Sequence, residues 1–347
     1  MGNVGQRKTP RRKQPQRKYR VKAIVYESYG PSDVLHLKDV EKPSPKDNEV
    51  LVRIYAASVN AADWRMMRAD PFLVRLYAGL LKPTKFQTLG ADIAGRVEAV
   101  GKNVHQFHPG DEVFGDVFAS GFGGFAEYKC ASESELVLKP ANISFDEAAA
   151  VPLAALTALH GLRDKGQIQP GQKVLINGAS GGVGTFAVQL AKYFGAEVTA
   201  VCSTGKVDLA RSLGADHVID YTQEDFTRSG QQYDLILAVN GNRSIFDYKR
   251  VLTSKGAYVM TGGNTGQLFQ ALLLGPLISL FGKQKMGSLT STPNQKDLLF
   301  MKELLESGKI KPVIDRRYSL SEVPEAIRYV EEGHAKGKVA IILERGE

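Results

Sequence analysis

The sequence predicts an α/β protein with two domains, a β-rich domain and a doubly wound parallel sheet. The first observation is a series of short β-type segments, broken by Pro and Gly, over residues 21–148. The second is a change of period near residue 144, after which strand-like and helix-like segments alternate. The third is the glycine-rich run 177–184, which stands between such a strand and such a helix. This alternation is typical of a parallel sheet with helices on both faces.

The β-rich part consists of short segments of β-forming residues with turn signals between them. Gly30-Pro31 and Pro109-Gly110-Asp111 are two of these signals, and both favour a reversal of the chain. Strands are predicted over 21–26, 49–57, 94–100, 112–114, 126–130 and 136–138.

The alternating part begins with a helix predicted over 145–160, which has acidic residues in its first turn. Strands then follow at 173–176, 197–202, 217–219, 234–238 and 256–261, with helices at 185–194, 207–213 and 244–252. A last section predicts helices over 295–307 and 323–332 and strands at 313–315 and 339–343.

The glycine-rich run has the chemistry of a phosphate cradle. It follows the apolar strand 173–176 and opens a helix, so its free N–H groups and the helix dipole can stabilise a pyrophosphate. Aligned on Gly184, the run has Ala179 in place of the first glycine of G-x-G-x-x-G. A glycine-rich hairpin turn is the alternative, which the flanking elements disfavour. The predicted contacts to a dinucleotide are Ser180, Gly181, Gly182 and Val183.

The residues after the next strand select the cofactor in such folds. A chain that binds NAD places a carboxylate there for the ribose hydroxyls. Here the strand is followed by Ser203, Thr204, Gly205 and Lys206, which offer hydroxyls and an ammonium to a 2′-phosphate. The sequence therefore predicts NADPH. Asp208 remains the alternative, because it would fill the NAD role if the turn were longer.

The charge of the chain is concentrated in its first residues. The net charge is +8, but residues 1–20 hold eight Lys or Arg and no acid, which leaves 37 basic and 37 acidic residues in the body. A tail of this composition cannot bury apolar area, and we expect residues 1–20 to be disordered. A solubilising extension is favoured over electrostatic attraction to an anionic membrane or to nucleic acid, and no specific nucleic acid is expected. Two cysteines favour a reducing compartment, and we expect a cytoplasmic protein.

Two apolar segments are predicted to be insertions. Residues 66–88 contain a partly apolar stretch that would cap a pocket. Residues 267–281 are nearly all apolar but too short, and interrupted by Gly275-Pro276, to span a bilayer. Burial in the fold or at the interface of a homodimer is favoured for 267–281, and peripheral membrane contact is the alternative.

Several local patterns resemble the medium-chain dehydrogenase/reductase superfamily in its zinc-independent quinone oxidoreductase branch. The resemblance covers residues 21–345 and rests on motifs at 57–63, 90–97, 109–113, 124–128 and 214–216. It implies a GroES-like catalytic domain, residues 21–148 and 293–347, and a Rossmann NADPH-binding domain, residues 149–292. It also implies hydride transfer to a quinone or an α,β-unsaturated carbonyl. Segments 264–300 and 308–315 are most similar to chloroplast-envelope quinone oxidoreductase homologues.

Zinc enzymes of this superfamily carry metal ligands at two positions that differ here. Asn60 and Ala91 stand at those positions, and an alanine side chain cannot bind a metal. No metal site is therefore predicted, and His105 and His108 are interpreted as surface residues. Without zinc, an alcohol is hard to activate, whereas hydride addition to an enone yields a delocalised enolate. A medium-chain alcohol dehydrogenase, and an NADPH-binding protein whose tail binds membrane or nucleic acid, are the alternatives.

The resemblance also implies roles for individual residues. Asn60 would lie beside the nicotinamide, with Asp63 either orienting the reacting groups or capping nearby backbone N–H groups. Arg65 occupies a position where relatives carry a cofactor-contacting lysine. Trp64, Phe118 and Phe122 are candidate walls of the substrate pocket. Further cofactor contacts are expected at Thr157, Tyr221, Asn240, Gly241, Gly262, Gly263 and Lys338.

Overall fold

The computed structural model describes residues 19–343, which form two β-sheets with helices packed on them and a separate two-stranded ribbon. Disorder was predicted for residues 1–20, and this prediction was wrong for Tyr19 and Arg20, which are ordered. Arg20 begins the first strand, and the Tyr19 carbonyl accepts a hydrogen bond from the Lys42 N–H. The remainder of the predicted tail lies outside the described residues.

The first part of the chain is β-rich, as predicted. Strands β1 (Arg20–Val25) and β2 (His36–Glu41) form an antiparallel ribbon. The larger sheet takes β3 (Glu49–Val59), β4 (Asp92–Val100), β5 (Glu112–Asp116), β6 (Tyr128–Ser132) and β7 (Leu136–Leu138). Two short helices, α1 (Ala61–Arg68) and α2 (Val74–Ala78), lie between β3 and β4. The ribbon strand β2 and both helices were not predicted.

Two helices connect the first part of the chain to the second, whereas a single helix was predicted over 145–160. They are α3 (Phe145–Ala149) and α4 (Pro152–Leu159), and a π-helical turn (His160–Lys165) follows. Pro152 has no N–H to continue the hydrogen-bond ladder of α3, so the chain starts a new helix there.

The second part is a six-stranded, all-parallel sheet of the doubly wound type, which confirms the predicted fold class. Its spatial order is β10-β9-β8-β11-β12-β13. The strands are β8 (Lys173–Asn177), β9 (Glu197–Cys202), β10 (His217–Asp220), β11 (Tyr233–Ala238), β12 (Leu252–Met260) and β13 (Lys285–Ser288). The connecting helices are α5 (Gly182–Tyr193), α6 (Val207–Ser212), α7 (Ile245–Arg250) and α8 (Thr265–Phe281).

The end of the chain returns to the first sheet. Helix α9 (Gln295–Glu306) buries Leu298 and Met301 in the core of the parallel sheet. Strands β14 (Ile314–Ser319) and β15 (Lys338–Ile342) then join the larger sheet beside β3, with α10 (Val323–Glu331) between them. The domain limits at 148–149 and 292–293 stay a prediction, because α9 packs with one part and the strands after it pair with the other.

Helix α8 includes the apolar segment 267–281, and Pro276 lies inside it. One stripe of the helix is exposed and carries large apolar side chains at positions three or four apart: Phe269, Leu272, Leu273, Leu277, Leu280 and Phe281. Within residues 19–343, no helix is both long enough and apolar enough to cross a membrane.

Candidate functional site

The glycine-rich loop joins β8 to α5 at the carboxyl edge of the parallel sheet. Helix α5 begins at Gly182, three residues earlier than predicted. A Cβ on Gly184 would lie 2.1 Å from the Gly178 carbonyl oxygen, so only glycine allows the helix to start this close to the strand. Gly181, Gly182 and Val183 are partly exposed at the helix N-terminus, where N–H groups are free to bind a phosphate. The loop therefore fits the pyrophosphate of a dinucleotide.

The loop is completed by the last part of the chain. The Ser180 carbonyl accepts a hydrogen bond from the Gly337 N–H at 2.9 Å, and Gly181 forms a parallel bridge with Gly337. Ser180 is 5% exposed and contributes this backbone contact from a buried position.

The ends of β11 and β12 lie next to each other and next to α1. Gly241 forms a bridge with Gly263, and the Gly241 N–H donates to the Gly262 carbonyl at 3.3 Å. The guanidinium of Arg65 donates to the Gly263 carbonyl at 2.5 Å and stacks on the Trp64 ring. Arg65 thus ties the β-rich part to the carboxyl edge of the parallel sheet. Asn240, which is exposed, follows β11 and lies against Gly178.

The predicted 2′-phosphate pocket contains a carboxylate that the sequence interpretation did not place there. Asp220, at the end of β10, accepts a hydrogen bond from the Thr204 hydroxyl at 2.5 Å. Adjacent parallel strands end at the same edge, which brings Asp220 beside residues that follow β9. Ser203 is half-buried, and Gly205 and Tyr221 are exposed beside them.

Lys206 differs from the expectation of a free ammonium. Its Nζ donates to the Ala335 carbonyl at 3.0 Å and more weakly to Gly333, and its burial lowers the pKa of its amine. Asp208, the alternative NAD-type acid, is fully exposed on α6 and faces Arg211. The structure thus places Asp220, not Asp208, as the acid that faces this pocket.

A buried polar cluster lies where Asn60 was predicted to meet the nicotinamide. The Asn60 Oδ1 accepts a hydrogen bond from Lys338 Nζ at 2.6 Å, and its Nδ2 donates to Asp92 Oδ2 at 2.9 Å. Since an ammonium only donates and a carboxylate accepts, these partners fix which end of the amide faces which side. Lys338 Nζ also lies 3.2 Å from Asp92 Oδ2, and both side chains are almost fully buried.

Asp92 connects this cluster to two elements, β3 and α4. Its Oδ2 accepts from the Ser58 hydroxyl at 2.7 Å, and its Oδ1 accepts from the Leu153 N–H at 2.8 Å near the start of α4. Leu153 and Thr157 are the half-buried positions of α4, one turn apart on an otherwise buried helix. Asp92 therefore holds in place the helix that carries Thr157.

Lys338 reaches the cluster along the glycine loop. A Cβ on Gly182 would lie 2.9 Å from Lys338 Cδ, so the alkyl chain of the lysine passes over the start of α5. The ammonium at the end of this side chain lies in the buried cluster. The contact of Lys338 with a cofactor stays a prediction.

The carboxylate of Asp63 caps the backbone on both sides. Its Oδ2 accepts from the Asn60 N–H at 2.7 Å, and its Oδ1 accepts from the Gly90 N–H at 2.9 Å. Burial raises the pKa of this carboxyl to about 7, against the two hydrogen bonds that favour its ionised form. These contacts match the capping interpretation, and the catalytic role stays a prediction.

The predicted aromatic walls differ in exposure. Phe122 is fully buried between Phe86 and Phe118, so it supports the fold and does not face a pocket. Trp64 and Phe118 are half-buried.

The sequence interpretation missed Asp116 at the end of β5. It is 3% exposed and lines a cavity of about 340 Å³ together with Ser120, Leu156 and Asn294. The only available signal in the sequence was an acid immediately after an apolar strand.

The two positions that carry zinc ligands in the zinc enzymes offer no free donor atom here. Asn60 Oδ1 already contacts an ammonium, and Ala91 offers no donor atom. In the described part of the chain, one set of side chains, His160, Asp164 and Asp297, lies close enough to hold an ion. There the Arg163 guanidinium already neutralises Asp297 at 2.8 Å, which disfavours a second cation.

Comparisons with known proteins agree with this geometry. The model described as the alcohol dehydrogenase GroES-like domain matches residues 46–141, and the model described as zinc-binding dehydrogenase matches residues 213–341.

Three similar proteins cover nearly the whole chain. A 2-methylene-furan-3-one reductase of Solanum lycopersicum is 37% identical over 92% of this chain and 79% of its own length. The chloroplast envelope quinone oxidoreductase homolog of Arabidopsis thaliana is 35% identical over 92% of this chain and 97% of its own. The solved quinone oxidoreductase from Coxiella burnetii superimposes with a TM-score of 0.84 at 29% identity, covering 94% of this chain and 100% of that one.

The fold and the site define a nicotinamide-dependent oxidoreductase. The chain belongs to the medium-chain dehydrogenase/reductase superfamily, in its zinc-independent quinone oxidoreductase branch. One similar protein is named for the chloroplast envelope, so the predicted cytoplasmic location stays a prediction.

Proposed function

We propose that the protein reduces quinones or α,β-unsaturated carbonyl compounds with NADPH, without a catalytic metal. The observation that carries the proposal is the buried cluster of Asn60, Asp92 and Lys338. Its ammonium holds both polar atoms to which a catalytic cation would have to bind. A second cation beside a buried ammonium would meet strong repulsion.

The residues present suit hydride addition to a conjugated carbonyl. When bound, the reduced nicotinamide supplies the hydride, and the acceptor develops negative charge on its oxygen. Asn60 would face that oxygen with the amide N–H that is held only weakly, at 3.4 Å from the Ser58 carbonyl. Gly181, Gly182 and Val183 would hold the pyrophosphate, and Thr157 and Arg65 would border the nicotinamide. The similar proteins named for quinone or furanone reduction support this choice of acceptor.

The choice of NADPH rests on the polar groups after β9 and β10. Lys206, Ser203 and Thr204 would bind the 2′-phosphate, and Tyr221 would pack beside it. Asp220 opposes this arrangement, because a carboxylate repels the phosphate. We propose that Thr204 keeps Asp220 engaged by its hydrogen bond and that Lys206 turns from the Ala335 carbonyl to the phosphate.

The test is NADPH oxidation against a panel of quinones, enones and simple alcohols, with and without a chelator. We expect turnover of quinones or enones that the chelator leaves unchanged. Loss of turnover on chelation contradicts the metal-free proposal. Turnover confined to the alcohol and carbonyl pair of an ordinary alcohol dehydrogenase contradicts the choice of acceptor.

We propose that a second copy of the chain covers the exposed apolar stripe of α8. The helix packs on β13, which lies at the edge of the parallel sheet. Exposed side chains such as Leu273, Leu280 and Phe281, 65–85% exposed, would be buried together with this edge. Light scattering should give the mass of a dimer, and Leu273→Lys with Leu280→Lys should give a monomer. A monomeric wild type that binds anionic vesicles supports membrane contact instead.

A further inference from the structure

Residues 71–86, which contain α2, expose most of their large apolar side chains. The segment is anchored by Ala78 and Phe86, which are buried in the core of the β-rich part, and by the Tyr29 hydroxyl, which donates to the Gly79 carbonyl at 2.7 Å. Six large side chains of the segment are exposed instead and form an apolar patch: Phe72, Leu73, Leu76, Tyr77, Leu80 and Leu81. An exposed apolar cluster of this kind marks a surface that meets a partner.

The residues outside the described range are too polar to cover the apolar patch. Residues 1–18 and 344–347 of the sequence contain two large apolar side chains, Met1 and Val4. Chain segments of such composition cannot bury enough apolar area to hold themselves on a surface. The partner of the apolar patch is therefore a different molecule.

The charges around the apolar patch have one sign. Residues 71–90 hold three Lys or Arg and no acid. Lys82 and Lys85 are exposed, and the Lys85 ammonium lies 4.0 Å from the centre of the Tyr77 ring, so it borders the patch. Residues 1–20 add eight Lys or Arg and no acid. The partner should therefore present negative charge together with apolar groups.

A second copy of the chain does not meet this requirement. A two-fold contact places a surface against itself, so the cations beside the patch would face their own counterparts. The acids that border the segment already have cations of their own. Asp70 faces Arg65 at 3.9 Å, and Glu27 forms an ion pair with Lys38 at 2.8 Å. An anionic lipid surface, in contrast, offers headgroup charge above an apolar interior.

We propose that residues 71–86 dock the protein on an anionic lipid surface. The apolar patch enters the boundary between headgroups and acyl chains, where aromatic side chains such as Tyr77 are favoured. Lys82 and Lys85 contact the anionic headgroups, and the charge of residues 1–20 adds attraction of the same sign. The contact is peripheral, because no helix within residues 19–343 is suited to cross a membrane. This inference goes beyond the proposed function and does not depend on it.

The experiment measures how the full-length protein sediments with vesicles, at low and at high salt. One set of vesicles is phosphatidylcholine alone, and the other is phosphatidylcholine mixed with phosphatidylglycerol. We expect binding to the mixed vesicles only, weakened by salt. Lys82→Gln with Lys85→Gln should lower the affinity about ten- to thirtyfold, since each cation near an anionic surface contributes about fivefold. Leu76→Ser with Leu81→Ser should lower it by about tenfold or more.

Two matched controls make the same changes elsewhere on the surface. Lys296→Gln with Lys309→Gln removes two exposed ammonium groups, and Leu138→Ser with Leu299→Ser removes two exposed leucines. Both controls should bind the mixed vesicles like the wild type. All the substituted side chains are exposed, and Leu76 and Leu81 are 72% and 87% exposed, so the variants are expected to fold.

Tryptophan fluorescence gives a readout that is specific to the apolar patch. Leu76→Trp places an indole in the patch, and its emission should move to shorter wavelength when mixed vesicles are added. The wild type, whose single tryptophan is Trp64, should shift much less. Leu299→Trp, on α9, is the control and should not shift beyond the wild type.

The outcomes distinguish the lipid surface from other partners. A wild type that binds neither set of vesicles, or both equally, overturns the inference. So do patch variants that bind like the wild type, because the charge of residues 1–20 would then suffice. A patch variant that loses self-association, seen by light scattering, and keeps its vesicle binding assigns the patch to a second copy. A protein that binds mixed vesicles as expected but reduces no quinone or enone contradicts the proposed function alone.

Discussion

Lys206 is the residue on which the cofactor preference depends most directly. Its ammonium is the positive charge that the sequence places in the predicted 2′-phosphate pocket, and a charge-assisted hydrogen bond contributes about 1.5–3 kcal/mol. We expect Lys206→Ala to raise KM for NADPH about ten- to a hundredfold and KM for NADH much less. Steady-state kinetics with both cofactors measures the difference. Equal increases in KM for the two cofactors would show that the phosphate binds elsewhere. Asp220→Asn removes a carboxylate from the same pocket and should increase the preference for NADPH.

Lys338 and Asp92 form a buried ion pair whose loss has a predictable sign. Lys338→Met keeps the alkyl chain over Gly182 but leaves the Asp92 carboxylate buried without its cation. We expect it to lower the free energy of unfolding by about 3–5 kcal/mol, measured by urea denaturation. Adding Asp92→Asn should restore most of the loss, because the pair is then removed as a whole. A double variant as unstable as Lys338→Met alone would contradict the interpretation of Lys338 and Asp92 as a buried ion pair.

The glycine-rich loop could be predicted from its flanking strand and helix, and the structure places it between β8 and α5. The roles of Asn60 and Ala91 came from the resemblance to the family and stay predictions. Contacts between distant parts of the chain could not be predicted in this way. Lys338 lies 278 residues from Asn60, and Asp116 meets Asp92 only through the register of two strands.

At the scale of elements, the loop between β8 and α5 is the most constrained. A Cβ on Gly184 would overlap the Gly178 carbonyl oxygen. Relieving that overlap requires the end of β8 or the start of α5 to shift, which disturbs their packing. We expect Gly184→Ala to lower the free energy of unfolding by about 1–3 kcal/mol. It should also weaken the binding of NADPH. That binding is measured by fluorescence energy transfer to the cofactor from Trp64, the single tryptophan of the sequence. Gly205→Ala, where a Cβ meets open space, is the control for stability and should leave it unchanged.

Buried strands were predictable because their residues are continuously apolar, whereas β2 was not. Its residues are mostly polar and exposed, and it pairs with one strand. Helix α1 carried a signal that was not used to predict a helix, although capping of backbone N–H groups was one of the two interpretations of Asp63. Asn60 and Asp63 form a capping box, three residues apart, which marks a helix start.

For the whole molecule, the buried carboxyl of Asp63 makes stability depend on pH. Its pKa rises from 3.8 to about 7 on folding. Between these values the folded state keeps a proton that the unfolded state releases, so this group's contribution falls as the pH rises from about 4 to about 7. We expect Asp63→Asn to flatten this part of the stability profile, measured by urea unfolding across the range. An unchanged slope would mean that Asp63 is ionised in the folded protein.

The hydrogen bond from Gly337 to Ser180 has a consequence for the order in which the protein matures. A ribosome releases residues 173–193, the strand, loop and helix of the cradle, long before residue 337. Until the last strand arrives, the Ser180 carbonyl lacks its partner and the start of α5 lacks the covering lysine. A nascent or truncated chain that ends at 292 holds the entire glycine fingerprint but only part of the nucleotide site. The contacts of the cradle with Gly337 and Lys338 therefore form only after these residues have been synthesised.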